Sequence, residues 1–545
     1  MFTFVKAWST APVLTDVRDR ESRARVGALL VAIACCAMVG LGVWLQSRIH
    51  MNHDVAWIGH SAKWLLEGQR FGLDIVDPNP PFAWWLMLPA AAMADLAPQG
   101  ALIRAWCWLL AITAIVLTGV TLLRLARTSG RSEAAALFLG ASAAIALLPH
   151  VDFGQREVLA FALMLPYALS VACRVTGGSA GTPAMPLLVG FCAGVGLCLK
   201  PYLAIVPVLV ELLHAVLVRS VRQAIRIETV AIAATVAAYL SAIAIAAPDY
   251  LSVALPLVSA TYWAYEGPEY LVNSRFHDAV LPAAYAIAIA VVTLSFGRLH
   301  LMLVALVAGY SASYWAQHKG FPYHAYPVLA CSCMLLAFSI VRAVRSVLAM
   351  RWIARAWLRW IVVAMLLVIA LPVLHEPFRV AMRWYERADR VQGEWGIVRE
   401  EPAARLRSLG VQPTDLIYAL STHPHPGFPA ANDLGVRWAG SAVAQFALPA
   451  IARRSEITDS RRLAAIDRAA AWQTATVIAD LGKRRPRYVF VEARQRRLGL
   501  AYRKFDDIAF YARDPGFQRL WTCYEELAPG RYFRLFRRRN DCAAD

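Results

Sequence analysis

Asp54 follows His53 shortly after the first long apolar run, at a position where a carboxylate could do acid–base chemistry. A carboxylate near the membrane surface can take the proton of an attacking hydroxyl group. An aspartate at this position can also cap a helix, because its side chain accepts hydrogen bonds from free backbone N–H groups. Position alone leaves Asp54 as either a general base or a helix cap.

A second polar group follows the third apolar run and places acidic and basic side chains side by side. Asp152 is a second candidate acid, and Arg156 lies just beyond it. A guanidinium group can hold a phosphate through two parallel hydrogen bonds. Arg156 could equally pair with Glu157 or Asp152, so its role stays open at this point.

Lys200 interrupts the apolar sequence 192–202 between two short spans. An ionisable residue at membrane depth is costly, so a functional role is the first hypothesis. A cation at the outer boundary of the membrane suits a lipid phosphate. The alternative is a lysine that extends its side chain towards water.

The segment 317–324 places several polar side chains between two apolar runs. Lys319 and His324 could grip a phosphate, and Tyr323 could offer its ring to a sugar. Trp263, in the loop 249–278, lies among aromatic and acidic residues that suit a carbohydrate. The same composition is typical of an interfacial aromatic belt. His324 has no metal-ligand partner at a suitable spacing.

Two further pairs are expected to be structural. Glu211 and His214 are spaced to share one helix face and are expected to pair inside the bundle. His423 and His425 alternate with prolines, which favours a surface loop over a metal site.

The elements that must position these residues are mainly apolar helices. Of the 545 residues, 59% are hydrophobic and 17% are charged, whereas soluble proteins carry about 25% charged residues. The deficit is confined to residues 26–374. The net charge of +18 comes largely from arginines in the short links between apolar runs. Cytoplasmic loops collect such residues, so a nucleic-acid partner is not expected.

The positions of the positive charges also predict which segments cross the membrane. If residues 81–97 crossed, every later basic loop would lie outside, so this segment is predicted to lie on the outer surface as a helix. About eleven crossings remain. They are 26–45, 101–123, 134–149, 158–173, 186–199, 201–218, 229–247, 279–296, 301–316, 325–341 and 360–374.

The sequence therefore predicts an α-helical polytopic membrane protein with a C-terminal mixed α/β soluble domain. Residues 1–25 form a cytoplasmic segment, residues 26–375 the transmembrane domain with a long first outer loop 46–100, and residues 376–545 the outer domain. In that domain, 415–420 and 488–492 are predicted strands and 464–481 a helix. Cys523 and Cys542 could pair if the domain faces an oxidising compartment.

The order of these features resembles the GT-C glycosyltransferases, in particular the protein mannosyltransferase and aminoarabinose transferase group. The resemblance covers roughly residues 26–374 and rests on motifs that follow one another on the outer face. The matching positions are Asp54, Pro80-Pro81, Asp152 with Arg156, and Gly194, Gly196 and Lys200. Two positions depart from the family. His53-Asp54 stands where Asp-Glu is frequent, and Asn79 stands where a lysine often precedes the two prolines.

The resemblance implies a GT-C-like fold and an inverting transfer of a sugar from a polyprenyl-phosphate donor to a glycan, lipid or protein acceptor. Asp54 would act as general base with Asp152 as a second catalytic acid, and burial could raise the pKa of Asp54. The leaving lipid phosphate would be held by Arg156, Lys200, Lys319 and His324. The substrates would contact His53, Tyr202, Trp263 and Tyr323. The implied site is the outer face of a bacterial inner membrane. No cofactor is expected, and a divalent metal is left open.

Two competing functions remain at this level. A transporter or flippase of lipid-linked saccharides would fit the apolar spans, although no repeat between the two halves is evident. A structural scaffold acting through the outer domain would leave the carboxylates near the outer membrane surface unexplained.

Overall fold

The chain is mainly helical in a computed structural model that describes residues 11–128, 130–177, 183–266, 274–350, 355, 357–368, 371 and 394–542. The helices of the apolar part are α1 (Ala11–Arg48), α2 (His53–Leu66), α3 (Phe82–Ala92), α4 (Gln99–Thr128), α5 (Arg131–Ala146), α6 (Arg156–Val175), α7 (Ala184–Leu199), α8 (Ile205–Val218), α9 (Ile227–Ala246), α10 (Leu255–Thr261), α11 (Ser274–Val292), α12 (Arg298–Ala316), α13 (Tyr326–Ala349) and α14 (Trp357–Val368).

An apolar helix lies in each of the predicted spans, although residues 369, 370 and 372–374 of the last span lie outside the described residues. Among the described residues, seven helical stretches are long and apolar enough to cross a membrane, and four apolar helices are shorter. The shorter ones include α7, α11 and α14, which match three of the predicted spans. α5 matches another, and the fourth short helix is α3. The predicted polytopic helical architecture is therefore confirmed.

The surface helix predicted before α4 is present as α3, directly after Pro80-Pro81. Its tryptophans do not behave alike. Trp84 is fully buried and donates from Nε1 to the Ser61 hydroxyl of α2 at 2.8 Å, whereas Trp85 is half-buried. α3 thus packs its Trp84 face onto α2 and α4, and this contact fixes the first outer loop above the bundle.

The centre of the bundle is α6, which is buried along nearly its whole length. It packs against α4, α7 and α8, and its apolar residues face neighbours on every side. A helix that is hydrophobic all round is stable only when other helices enclose it. The helices at the periphery of the bundle instead expose large apolar side chains, among them Leu30, Val116, Leu212 and Leu240. Exposed apolar surface of this extent suits contact with lipid.

The C-terminal domain is a mixed α/β layer, as predicted. Its helices are α15 (Glu394–Ser408), α16 (Ala430–Leu434), α17 (Leu448–Ala452), α18 (Ser460–Arg484), α19 (Asp507–Tyr511) and α20 (Pro515–Trp521). Its strands are β1 (Leu416–Leu420), β2 (Arg437–Trp438), β3 (Tyr488–Glu492), β4 (Tyr524–Glu526) and β5 (Phe533–Arg538).

The five strands form one sheet in the order β2-β1-β3-β5-β4. β1 runs parallel to β2 and β3, while β5 runs antiparallel to β3 and β4. The predicted strands and helix in this domain are confirmed. A disulfide joins Cys523 to Cys542.

The C-terminal domain sits on the first outer loop. Val76 donates its backbone N–H to the Ser441 carbonyl at 2.8 Å, and Asn432 donates to the Ala56 carbonyl of α2. The ring of Phe428 packs 5.4 Å from that of Trp57. These contacts place the loop after β1 directly above the start of α2.

Candidate active site

The start of α2 is capped by Asn52. Its Oδ1 accepts a hydrogen bond from the Asp54 backbone N–H at 2.9 Å, and its side chain is buried. Asp54 lies one residue inside the helix, so the capping alternative for this aspartate is wrong. The N-cap is the last residue before helical backbone angles begin, and that residue is Asn52 because α2 begins at His53.

The Asp54 carboxylate faces the first turn of α6. Oδ2 accepts from Gln155 Nε2 at 3.0 Å and lies 3.5 Å from a terminal nitrogen of Arg156. Oδ1 lies 3.5 Å from His53 Nε2. The side chain keeps 19% of its surface exposed, so a small molecule can reach it. The positive end of the α6 dipole further favours a negative charge here.

Asp54 is ionised in this setting. Burial alone would raise its pKa, but His53 when it is protonated, the charge of Arg156 and the hydrogen bond from Gln155 outweigh that effect and hold the pKa below its usual value. The expected rise in the pKa of Asp54 through burial is therefore wrong in sign, because cationic neighbours dominate. The carboxylate is ready to accept a proton, but it is a weak base.

A chain of amides links Asp152 to Asp54. Its Oδ1 accepts from Asn52 Nδ2 at 3.1 Å. Gln155 Nε2 then donates to both Asn52 Oδ1, at 2.9 Å, and Asp54 Oδ2. Asp152 thus orients Asn52, and Asn52 and Gln155 orient Asp54. Neither amide was singled out from the sequence. The available signal was their position, since Asn52 stands at a helix start and Gln155 directly before Arg156.

Arg156 is a buried cation with unused donors. Only 5% of its surface is exposed, and neither Nε nor NH1 has a hydrogen-bond partner within the described part of the chain. A buried donor without a partner is costly, more so when it is charged. Asp77, also buried and near Arg156, is held by Trp57 Nε1 at 3.1 Å and by Asn79. A guanidinium fork left open beside a carboxylate suits an anionic group with several oxygens.

Lys200 lies in a buried ion pair. Its Nζ is 2.7 Å from Glu157 Oε1, and His324 Nε2 lies 3.3 Å from the same oxygen. All three residues are buried. The alternative in which Lys200 extends towards water is therefore wrong, since Glu157 holds its ammonium group inside the protein. Glu157 pairs with this lysine, although the sequence suggested Arg156 as its partner.

The remaining predicted substrate residues spread around this centre. Lys319 Nζ lies 4.2 Å above the ring of Tyr262 and 3.6 Å from Glu266. Tyr323 packs on His324 with ring centroids 4.8 Å apart. Both therefore border the cluster around Glu157 and Arg156.

Tyr202 and Trp263 lie further out. The side chain of Tyr202 is 51% exposed. Trp263 carries the guanidinium of Arg453 over its ring at 4.9 Å, at the contact with the C-terminal domain.

The C-terminal domain reaches the site with two histidines. His423 and His425 are buried, and the ring of His53 lies 4.7 and 5.1 Å from their rings. The prediction of a surface loop is wrong, because the alternating prolines shape a segment that packs into the first outer loop. Burial lowers the pKa of all three histidines. Within the described ranges, no group of His, Cys, Asp or Glu side chains could hold a metal ion.

Glu492, at the end of β3, anchors the segment that carries these histidines. Its carboxylate accepts from the Ser421 hydroxyl at 2.8 Å and from the Thr422 backbone N–H at 3.1 Å. Arg494 Nε donates to the same carboxylate at 2.7 Å. Nearby cations hold the pKa of Glu492 below its usual value although burial opposes them. The charge is thus satisfied and the loop is fixed.

Glu211 and His214 lie at the opposite end of the bundle. They are 3.9 Å apart, as the predicted pairing requires, but Glu211 is held more closely by Arg226 and by the Tyr167 hydroxyl. This cluster joins α6 to α8 and lies apart from the Asp54 centre.

The fold is similar to that of solved glycosyltransferases. The structure of ArnT from Cupriavidus metallidurans bound to undecaprenyl phosphate matches with a TM-score of 0.54 and 12% identity, over 93% of this chain and 97% of that one. The same enzyme in the apo state matches with a TM-score of 0.51 and 13% identity, over 94% and 98% of the two chains. For archaeal oligosaccharyltransferase AglB from Archaeoglobus fulgidus the TM-score is 0.46 at 11% identity, over 93% and 75%.

No protein-family model and no curated protein matches the sequence. The structural likeness at these identities shows the fold, which is the GT-C fold that the sequence motifs predicted.

Proposed function

We propose that this chain, which has the GT-C fold, is a membrane glycosyltransferase that moves a sugar from a polyprenyl-phosphate donor to a hydroxyl acceptor on the outer face of the membrane. The observation that carries the proposal is the pairing of an ionised carboxylate, Asp54, with a buried guanidinium whose Nε and NH1 have no partner among the described residues. A base therefore lies beside a candidate anion-binding site.

In this mechanism the acceptor hydroxyl lies at Asp54 and the donor phosphate at Arg156. Asp54 takes the hydroxyl proton as the acceptor oxygen attacks the anomeric carbon from the side opposite the phosphate. The configuration at that carbon inverts, and the lipid phosphate leaves. Arg156 stabilises the charge that develops on the leaving oxygen, and preorganised donors of this kind commonly supply the largest part of catalysis.

Lys200 and His324, which both contact Glu157, also stabilise the negative charge of the leaving phosphate. In the absence of donor, Glu157 neutralises Lys200 at 2.7 Å. A phosphate beside Arg156 gives the ammonium group a second anionic partner without moving it into water. Lys319 lies over the ring of Tyr262 and beside Glu266 at the border of this cluster, so we assign it a secondary role in holding the phosphate.

The fold neighbour supports the class of donor. ArnT has been solved with bound undecaprenyl phosphate, and a polyprenyl phosphate is accordingly the donor carrier proposed for this chain. The acceptor is a glycan, lipid or protein of the cell envelope. The disulfide between Cys523 and Cys542 fits an outer domain in an oxidising compartment, on the extracytoplasmic side of a bacterial inner membrane.

The test is sugar transfer in proteoliposomes supplied with radiolabelled polyprenyl-phosphate sugars and an envelope extract as acceptor. Wild type should transfer label. Asp95→Asn, which changes an exposed acid of the same outer loop, should transfer at the wild-type rate and serves as the matched control for Asp54→Asn. Loss of transfer in Asp54→Asn by about 10²- to 10⁴-fold is expected for removal of a general base. Movement of labelled lipid between leaflets without transfer would favour a flippase instead.

A further inference from the structure

A row of imidazole rings connects Asp54 to the C-terminal domain. His53, the first residue of α2, lies against His423 and His425 with ring centroids 4.7 and 5.1 Å away. The rings of His423 and His425 stack on one another at 4.9 Å. Because His53 Nε2 is 3.5 Å from Asp54 Oδ1, the row begins at the carboxylate.

We propose that His53 receives the acceptor's proton from Asp54 and that His425 carries it onward, which makes the C-terminal domain part of the reaction site. This inference rests on the proposed sugar transfer. His53 stands where the resembled enzymes frequently have an acid, so the relay belongs to the residues of this chain.

The step conserves atoms and charge. The acceptor oxygen bonds to the anomeric carbon while the bond between that carbon and the phosphate oxygen breaks, and its electron pair leaves with the lipid phosphate. The hydroxyl proton goes to Asp54 and then to Nε2 of His53, which returns Asp54 to the carboxylate. Nε2 can accept a proton only in the neutral tautomer that carries hydrogen on Nδ1. The resulting imidazolium passes a proton to His425 and finally to water, because His423 Nδ1 already accepts the backbone N–H of His425 at 3.1 Å.

The electrostatics around Asp54 favour this direction. Although burial opposes them, the charge of Arg156 and the hydrogen bond from Gln155 favour the ionised form of Asp54 while His53 is neutral, so a proton on Asp54 is lost readily. Imidazole is ordinarily the stronger base of the two groups. Burial keeps the pKa of His53 below 6.5, so the ring is neutral and able to accept a proton near pH 7.

Charged groups from several elements act on the row. Asp54 raises the pKa of His53, while Arg156 of α6 and Arg399 of α15 lower it. Arg399 and Arg494 also lower the pKa values of His423 and His425. The surplus of cations disfavours a lasting imidazolium ion, which suits a relay that must release its proton before the next turnover.

The experiment compares His53→Gln with His60→Gln in full-length protein in proteoliposomes, from about pH 4 to about pH 9. His60 lies two turns along α2 and packs its ring 5.4 Å from Phe428 of the same loop, but it does not adjoin Asp54. Burial lowers the pKa of His60 to about 4. His60 is therefore a matched half-buried histidine without a place in the relay.

We expect transfer by wild type to fall on the acid side with a midpoint below pH 6.5, where His53 becomes protonated. His53→Gln should lower transfer by at least about tenfold at neutral pH and move the acid limb to lower pH. Added imidazole should restore part of the rate. His60→Gln should keep the wild-type pH profile and show no rescue.

A wild-type pH profile in folded His53→Gln, without rescue by imidazole, overturns the relay and leaves the proposed transfer intact. Absence of sugar transfer by wild type contradicts both the relay and the proposed transfer. If His53→Gln does not fold, His425→Gln decides, because it keeps Asp54 and His53 in place. A lower rate that imidazole restores supports the relay, and an unchanged rate without rescue contradicts it.

Discussion

Arg156 bears a charge that the protein only partly satisfies. A buried guanidinium with two nitrogens that lack a partner among the described residues costs stability unless a ligand uses them. Lysine carries the same charge but lacks the planar fork. Anion binding at this site therefore depends on the planar shape of the arginine side chain as well as on its charge.

Arg156→Lys and Arg156→Gln should both weaken binding of polyprenyl phosphate, by about tenfold or more, since each removes the paired donors. Binding is measured as the ligand-induced rise in the thermal unfolding temperature of purified protein. Arg174→Gln provides the comparison, because Arg174 ends the same helix in an ion pair with Glu228 at the opposite side of the bundle. Equal affinity for polyprenyl phosphate in wild type and Arg156→Lys would exclude bidentate binding of the phosphate by Arg156.

Glu157→Gln should destabilise the protein by about 3–5 kcal/mol, because it leaves the buried ammonium of Lys200 without its counter-charge. The readout is the thermal unfolding temperature in detergent. Adding Lys200→Met should recover much of that loss, since the double variant removes both charges. If Glu157→Gln unfolds at the wild-type temperature, the ion pair contributes nothing and the assignment of Lys200 fails.

At the scale of elements, the first turns of α2 and α6 hold the site together through Asn52. The Asn52 side chain caps α2 and accepts from Gln155 at 2.9 Å. Asn52→Ala should cost about 1 kcal/mol through the lost cap and should reduce transfer further by releasing Gln155 from its place beside Asp54. Asn52→Asp retains the cap acceptor but puts a second carboxylate near Asp152. A stability loss without any loss of transfer in Asn52→Ala would limit Asn52 to a structural role.

The segment after β1 depends on Glu492. Glu492→Gln removes the charge that binds Ser421, Thr422 and Arg494. We expect faster amide hydrogen exchange confined to residues 421–428, together with reduced transfer. Unchanged exchange in that segment would show that its contacts with α2, and not Glu492, fix the loop.

The sequence allowed most elements to be predicted, because apolar run length and arginine position depend on local pattern. Asp54, Arg156 and Lys200 could be chosen as candidates because charged residues stand out between apolar spans. The cap at Asn52 could not be assigned, since it depends on where helical backbone angles begin. The burial of His423 and His425 was missed for a different reason. It arises from packing against α2, which is distant in the sequence.

At the scale of the whole molecule, we propose that the outer face is the one on which the first outer loop and the C-terminal domain meet. The predicted topology places Asp95 outside and Arg222 inside, and both side chains are exposed. Asp95→Cys should react with a membrane-impermeant maleimide in intact cells, and Arg222→Cys only after the membrane is opened. Wild type supplies the background from the free cysteines. The reverse labelling pattern would invert the topology and move the site to the cytoplasmic face.

The most direct measurement follows donor binding and turnover in the same proteoliposomes, using one radiolabelled polyprenyl-phosphate sugar with wild type and Asp54→Asn. Arg156 stays in place in this variant, so we predict that Asp54→Asn binds the donor about as well as wild type while sugar transfer falls by about 10²- to 10⁴-fold. Transfer at the wild-type rate in Asp54→Asn would contradict the assignment of Asp54 as the base of a glycosyltransferase.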